Sequence, residues 1–259
     1  MDLGLEGKRA IVCGSSRGLG RACAAALAEA GAEVVLNGRD PATLEKTRAA
    51  LEAQFGRPFA AVACDVTTEA GRAALLAVLP EPDILVNNAG GPPPGRFEDW
   101  GEQAWADAVR SNMLTPIHLT TAAIGPMRRK GWGRVINITS SAVKEPLPML
   151  GLSTSARLGL TGFVASIARE VAGDGVTVNN LLPGRFDTDR LAGYISALGK
   201  ARGLEPEAAR AAAAAEVPAG RLGLPAEFGA ACAFLASRWG GYITGQNLVI
   251  DGGAHHGAL

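Results

Sequence analysis

Two serines and an arginine in the middle of the chain carry the side chains best suited to polar chemistry. Ser140 lies in the segment RVINITSSAV, Ser153 follows thirteen residues later, and Arg157 lies one helical turn beyond Ser153. Serine hydroxyls can orient a carbonyl oxygen, and an arginine that stays charged can stabilise an oxyanion. Lys144 is a candidate proton donor if burial lowers the pKa of its ammonium group. The alternative is a solvated lysine paired with Glu145.

A glycine-rich loop near the N-terminus has the spacing of a dinucleotide-binding turn. Gly14, Gly18 and Gly20 follow a short apolar run and precede a helical pattern that begins near Gly18. Glycines let the backbone approach a pyrophosphate closely, and the first turn of the helix directs unpaired N–H groups at that anion. A tight structural turn is the alternative. The position between a strand and a helix favours the cofactor.

The residues after the second apolar run predict which dinucleotide would bind. Folds that prefer NAD usually place an acid here, where it binds the ribose 2′-hydroxyl. This chain has Gly38 and Arg39 instead. An arginine forms charge-assisted hydrogen bonds with a 2′-phosphate, and Arg17 could reach the same group. Asp40 either caps the next helix or partly neutralises Arg39. We therefore expect NADP(H).

A layered α/β architecture would bring these residues together. Seven apolar runs without strict alternation suit strands that are buried on both faces of a parallel sheet. Longer helical patterns lie between them, so the sequence predicts a three-layer, doubly wound (Rossmann) fold with a seven-stranded parallel sheet. The loops after the strands then meet at one edge. The predicted strands are 9–13, 33–37, 59–64, 83–87, 134–138, 176–182 and 247–250, and the predicted helices are 18–30, 41–55, 67–79, about 100–130, 153–172 and 226–237.

Length and composition favour a single domain over residues 1–259. The alanine-rich stretch 201–220 interrupts the strand–helix rhythm. We interpret it as part of a helical lid at about 189–220, with a surface insertion as the alternative. The 25 basic and 25 acidic side chains balance, which argues against nucleic-acid binding. No apolar run reaches the ~18 residues of a membrane helix.

The N-terminus and the cysteines predict the compartment. The segment MDLGLEGKRA lacks the basic and apolar regions of a signal peptide. The four cysteines are scattered and have no metal-ligand spacing. We expect a cytoplasmic protein with reduced thiols and no metal.

Several motifs in register over nearly the whole chain resemble those of the short-chain dehydrogenase/reductase family, in the sub-group of the β-ketoacyl-carrier-protein reductases. They are the glycine loop, CDV (64–66), NNAGG (87–91), SN (111–112), PGRFDT (183–188) and YITGQNLVIDGG (242–253). The resemblance implies an oxidoreductase that uses NADP(H) on the carbonyl of a small molecule, with a 3-oxoacyl group as one candidate. It also implies a homotetramer built on the helices at 100–130 and 153–172, with a dimer as the alternative. The implied cofactor contacts are Gly14, Ser16, Arg17, Gly18, Leu19, Gly20, Arg39, Asp65, Val66, Asn88, Ala89, Gly90, Arg157, Pro183, Gly184, Phe186 and Thr188.

The resemblance breaks down at the two positions most important for catalysis. In the family a serine orients the carbonyl, a tyrosine donates the proton, and a lysine holds the nicotinamide ribose and lowers the pKa of the tyrosine. Ser140 matches the serine, and Asn112 matches an asparagine that positions a proton-relay water. Ser153 stands where the tyrosine would be, and Arg157 stands in place of the lysine. An aliphatic hydroxyl is a much weaker acid than a phenol, and Ser153 ends a ring's length short of one.

Three hypotheses account for this departure. The first is an active oxidoreductase in which Ser140, Ser153 with a water, and Arg157 stabilise the alkoxide, with the proton coming from solvent or Lys144. The second is a catalytically silent dinucleotide-binding protein. The third is a reductase of an activated C=C bond, which needs no phenolic acid. Tyr194, on the predicted lid, is a remote substitute for the missing tyrosine.

Overall fold

The computed structural model describes residues 1–257, which contain a seven-stranded parallel sheet in the order β3-β2-β1-β4-β5-β6-β7. The predicted doubly wound fold is confirmed. The strands are β1 (Arg9–Val12), β2 (Glu33–Gly38), β3 (Ala60–Ala63), β4 (Ile84–Asn87), β5 (Gly133–Ile138), β6 (Val176–Pro183) and β7 (Asn247–Ile250). The helices are α1 (Gly18–Glu29), α2 (Pro41–Phe55), α3 (Glu69–Val78), α4 (Glu102–Val109), α5 (Thr115–Lys130), α6 (Gly151–Val171), α7 (Asp189–Arg202), α8 (Pro206–Ala215) and α9 (Pro225–Ala236).

The central strands are apolar throughout because each packs against helices on both faces. Alternate residues of β4 enter opposite cores: Ile84 and Val86 contribute to one, and Leu85 to the other. Helices α1 and α9 cover the first core, and α5 and α6 cover the second. The strand order reverses direction between β1 and β4. In open parallel sheets this switch point opens a crevice at the carboxyl ends of the strands, where ligands bind.

The helix predicted over about 100–130 is one continuous helical run that contains a π-helical turn. A π-helical turn over Arg110–Leu114 separates α4 from α5, and the backbone N–H of Thr115 bonds to the carbonyl of Arg110, five residues back. Pro116 has no N–H, so it cannot form the usual helical bond to the carbonyl of Asn112. The predicted helix is therefore confirmed, and its π-helical turn lies at a predicted site residue.

Two helices, α7 and α8, lie between β6 and α9, in the region predicted to be a lid. A left-handed Gly203 ends α7, and Pro206 begins α8. Glu216, which follows α8, forms ion pairs with Arg185 and Arg202 and ties the pair of helices to the end of β6. Among residues 1–257, no helix is long and apolar enough to cross a membrane.

Asparagine side chains connect four neighbouring strands inside the sheet. The amide of Asn87 on β4 donates to Asn137 on β5 (2.9 Å), which donates to Asn180 on β6 (3.0 Å). The amide of Asn180 donates in turn to Asn247 on β7 (2.7 Å). This amide ladder holds the strands in register next to the carboxyl edge. The side-chain amide of Asn87 is used within the sheet, where it also donates to Thr120 (3.0 Å).

Candidate functional site

The glycine loop after β1 packs too tightly for larger residues. Gly14 and Gly18 have φ of 55° and 57°, a conformation that favours glycine. A Cβ at Gly20 would lie 2.2 Å from the carbonyl oxygen of Gly14. The side-chain amide of Asn88, after β4, donates to the same Gly14 carbonyl (3.1 Å). Asn88, named above among the implied cofactor contacts, therefore also holds the loop against the adjoining strand.

The start of α1 leaves its donors free for an anion. Arg17 occupies the N-cap position without a side-chain cap bond, and the first turn contains no acidic residue. The first N–H groups of this helix therefore have no side-chain acceptor from the cap. This arrangement fits a dinucleotide pyrophosphate.

The neighbouring charges fit a cofactor that carries a 2′-phosphate. Asp40 caps α2, because its carboxylate accepts the N–H of Thr43 at 2.8 Å. The hydrogen bonds from Thr43 lower the pKa of Asp40. Of the two alternatives for Asp40, the structure thus supports the helix cap. Arg39 is exposed and makes no ion pair within residues 1–257. Arg17 lies 4.0 Å from Asp189 at the start of α7.

The remaining predicted cofactor contacts lie along the same edge of the sheet. Asp65 accepts the N–H of Thr67 at 2.9 Å and turns the chain after β3. The side-chain amide of Asn112 donates to the carbonyl of Gly90 (3.4 Å). Thr188 occupies the N-cap position of α7, where its side chain makes no cap bond within residues 1–257. Ser16, Leu19, Val66, Ala89, Pro183, Gly184 and Phe186 lie in the loops or on the adjoining elements of this edge.

Ser153 and Arg157 form a direct pair at the start of α6. The Nε–H of Arg157 donates to Oγ of Ser153 (3.1 Å), and Nη1 donates to the carbonyl of Ile138 at the end of β5 (2.8 Å). Both side chains are buried, at 7% and 8% exposure. Burial, and then the nearby charge of Arg190, lowers the pKa of Arg157 to about 10. Arg157 therefore stays charged near neutral pH.

The loop after β5 carries Ser140 and Lys144. Oγ of Ser140 accepts the N–H of Ala142 (3.2 Å), which fixes this serine at the mouth of the site. Lys144 is exposed, so it lacks the burial that its role as proton donor requires. Its predicted pairing with Glu145 is wrong, because that carboxylate accepts hydrogen bonds from the histidines of the C-terminal segment, His255 and His256.

A small cavity of about 20 Å³, enough for about one water molecule, is lined by Arg157 and by residues of the π-helical turn. Two buried amide oxygens, Oδ1 of Asn87 and Oδ1 of Asn112, lack a hydrogen-bond partner, and both residues line this cavity. Arg157, a donor, lines the same cavity. Unpaired acceptors and a guanidinium that share one cavity are conditions under which bridging water binds.

The chain's two tyrosines do not replace the missing phenol. Tyr194 on α7 donates to Glu216 (2.8 Å), and burial and that carboxylate raise the pKa of its hydroxyl. Tyr242 is fully exposed. Sequence reasoning also missed Arg190, whose guanidinium donates to the carbonyls of Gly91 and Pro92. The signal for the missed π-helical turn is Pro116, four residues after Asn112.

Comparison with known proteins agrees with this geometry. Residues 14–255 match the family model described as Enoyl-(Acyl carrier protein) reductase. The 3-oxoacyl-[acyl-carrier-protein] reductase FabG of Vibrio cholerae is 38% identical over 257 residues, which cover 98% of this chain and 99% of that protein. The FabG of Escherichia coli is 37% identical with the same coverage.

Solved structures of ketone reductases have the same fold. L-sorbose reductase from Gluconobacter frateurii, complexed with NADPH and L-sorbose, superposes with a TM-score of 0.93 at 29% identity, covering 99% of this chain and 100% of that one. A variant of actinorhodin polyketide ketoreductase, solved with NADPH, gives 0.89 at 28% identity, covering 97% and 98%. The glycine loop, the sheet edge and these full-length matches together show that the chain belongs to the short-chain dehydrogenase/reductase family of oxidoreductases.

Proposed function

We propose that the chain is an NADP(H)-dependent reductase of a carbonyl compound that works without the phenolic acid of its relatives. The observation that carries this proposal is the buried pair of Ser153 and Arg157, a fixed hydroxyl and a cation at the carboxyl edge of the sheet. Bound NADPH would supply a hydride to the carbonyl carbon. The residues of the chain have to bind the cofactor, orient the carbonyl and stabilise the negative charge on its oxygen.

The glycine loop and the N-terminus of α1 would hold the pyrophosphate, and Arg17 and Arg39 would bind the 2′-phosphate. Asp40 does not oppose this, because its carboxylate is held by Thr43. The loop after β6 would border the nicotinamide, as its resemblance to the family motif implies. The residues concerned are Pro183, Gly184 and Thr188. The curated relatives and the NADPH complexes named above support this cofactor.

Ser153 would act as a hydrogen-bond donor to the reacting oxygen. Its Oγ already accepts the Nε–H of Arg157, so its own hydrogen is free to point into the site. Ser140 would supply a second donor, and the charge of Arg157 would stabilise the alkoxide. The proton would come from water in the cavity beside Asn112 rather than from the exposed Lys144.

NADPH oxidation by the purified protein tests this proposal. We would assay a carbonyl panel that includes S-acetoacetyl-N-acetylcysteamine as a 3-oxoacyl thioester, with NADPH binding measured on the same samples. Turnover of any carbonyl supports the proposal. Binding without turnover contradicts it and favours a silent dinucleotide-binding protein.

A reductase of C=C bonds is the second candidate, because the enolate made by hydride addition needs no phenolic proton donor. The description of the matched family model agrees with this candidate. Enoyl thioesters in the same assay separate the two: turnover of enoyl but not of oxo substrates would replace the first proposal with the second.

The double substitution Ser153→Tyr with Arg157→Lys tests whether the cofactor site and the substrate pocket are otherwise intact. It restores the usual acid and its cation, so we expect carbonyl reduction to rise by at least tenfold, a typical contribution of general acid catalysis being about 10²–10⁴-fold. The variant must first be shown to fold and to bind NADPH. No gain would mean that the substrate pocket itself has diverged.

We also propose a cytoplasmic protein that acts on a small molecule and assembles as a homotetramer. The comparisons with small-molecule reductases support the substrate class. The oligomeric state is taken up at the scale of the whole molecule below.

A further inference from the structure

Arg157 and two cations on neighbouring segments, Arg190 and Lys144, have no carboxylate partner within residues 1–257. Arg157 bonds only to neutral acceptors, Ser153 and the Ile138 carbonyl. Arg190, at the start of α7, donates to two backbone carbonyls, at 3.3 and 3.4 Å. Lys144 is exposed on the loop after β5. These cations come from three different segments, and Arg190 lies near enough to Arg157 for its charge to contribute to the lowered pKa of Arg157.

The acidic residues of the loop after β5 and of the start of α7 are already bound elsewhere. Glu145 lies 3.2 Å from Nδ1 of both His255 and His256. Asp189 lies 4.0 Å from Arg17, and Asp187 pairs with Arg210. No acidic residue within 1–257 lines the cavity beside Arg157. This described part of the chain therefore supplies no counter-charge to the guanidinium.

A buried guanidinium without a counter-charge is costly, and proteins rarely keep one. The phosphates of the cofactor are poorly placed to neutralise Arg157. They belong at the glycine loop after β1, whereas Arg157 contacts the end of β5, two strands away and roughly 10 Å across the sheet at ~4.8 Å per strand. The nicotinamide ribose carries no charge. The substrate is the remaining component that can bring an anion to this position.

We propose that the substrate is an oxo acid, with a carboxylate close to its reacting carbonyl, and that Arg157 binds this carboxylate. The inference rests on the proposed function, because it takes the carbonyl as the reacting group. Ser153 fixes Nε of the guanidinium, which leaves Nη2 and the second N–H of Nη1 without a protein acceptor. A planar carboxylate can accept from both. Arg190 and Lys144 would attract the anion into the cleft.

Binding of acetoacetate and of methyl acetoacetate to the protein saturated with NADP⁺ tests this proposal. The two ligands share the carbonyl and differ in the negative charge, and NADP⁺ has no hydride to transfer, so calorimetry measures binding alone. We expect acetoacetate to bind at least tenfold more tightly than its methyl ester. Arg157→Gln should abolish that preference. Arg169→Gln, an exposed arginine on the same helix, should retain it.

Each outcome decides between the proposals. Equal binding of acid and ester, or a preference that survives Arg157→Gln, overturns the oxo-acid assignment. Should that variant fail to fold, the crystal structure of the wild-type complex decides, because the carboxylate must lie on Arg157 and any other position overturns the assignment. If acetoacetate binds more tightly than its ester but no carbonyl is turned over, the proposed function is contradicted and the oxo-acid assignment is not. If NADP⁺ does not bind, the same titration without cofactor still decides the substrate assignment.

Discussion

At the scale of single residues, Arg39 and Asp40 are adjacent and oppositely charged, and the structure gives them separate roles. Asp40 is held by Thr43 as a helix cap, which leaves Arg39 free for a phosphate. We expect Arg39→Ser to weaken NADPH binding about tenfold or more, the usual effect of losing one charge-assisted hydrogen bond, and to leave NADH binding unchanged. Fluorescence titration with both cofactors measures this.

The matched control is Asp40→Asn, which keeps a capping oxygen and removes the charge. If Asp40 only caps α2, this variant keeps the NADPH preference. If Arg39→Ser weakens the binding of NADPH and NADH equally, the arginine supports the structure of the loop and does not bind the 2′-phosphate.

Met149 is the one non-glycine residue within 1–257 with a positive φ, at 64°. It lies just before α6, and its side chain is 54% exposed. A left-handed backbone at a long side chain costs of order 1–3 kcal/mol, while glycine adds about 0.5–1 kcal/mol of chain entropy to the unfolded state. We therefore expect Met149→Gly to raise the free energy of unfolding by about 1 kcal/mol. Urea denaturation checks it.

The control for Met149→Gly is Leu147→Gly on the same loop. Leu147 is also exposed and has no positive φ, so glycine relieves no strain there. We expect that change to lower the free energy of unfolding. Similar effects at both positions would mean that the backbone strain at Met149 does not affect stability.

At the scale of elements, the amide ladder across β4, β5, β6 and β7 should contribute to stability in a graded way. Asn137→Ala removes an acceptor from Asn87 and a donor from buried Asn180, and each orphaned buried group costs about 1–3 kcal/mol. We expect a loss of about 2–4 kcal/mol. Asn247→Ala removes one bond at the half-buried edge and should cost about 1 kcal/mol. Denaturation at equal protein concentration measures both, and equal losses would contradict the ladder.

Sequence periodicity predicted the strands and helices well because many residues together determine each of these elements. All seven strands were predicted within two residues of their observed ends, since a buried parallel strand needs an unbroken apolar run. The π-helical turn at Asn112 depends on one missing N–H at Pro116, which a periodic pattern over thirty residues does not reveal. The pairing of Glu145 with His255 joins positions 110 residues apart, so only the folded chain brings them together.

The candidate site was predictable where backbone geometry determines it. The glycine loop and the cap at Asp40 follow from local rules, and the sequence signals both. The charge balance around Arg157 does not follow from local rules. It depends on which acids the histidines, Arg17 and Arg210 engage, and each of these pairs is tertiary.

At the scale of the whole molecule, apolar side chains remain exposed on the face formed by the π-helical turn and α6. Leu114 and Leu158 lie there, at 39% and 44% exposure. This is the surface on which we predict that copies of the chain associate, and a residue outside it provides a comparison. Val78, at the end of α3, is 50% exposed and belongs to the helix beside β3 at the other end of the sheet.

We expect the wild-type protein to have four times the 26.5 kDa mass of the chain by light scattering after size exclusion. Leu158→Arg places a charge in the predicted helix–helix interface, where it cannot be solvated, and should dissociate the tetramer to a smaller species. Val78→Arg adds the same charge outside that face and should leave the mass unchanged. If the Leu158→Arg protein is still a tetramer, the interface does not include this part of α6. If the wild-type protein is a monomer, the prediction of a tetramer is wrong. Because α6 also carries Ser153 and Arg157, dissociation that lowers turnover would show that assembly supports the site.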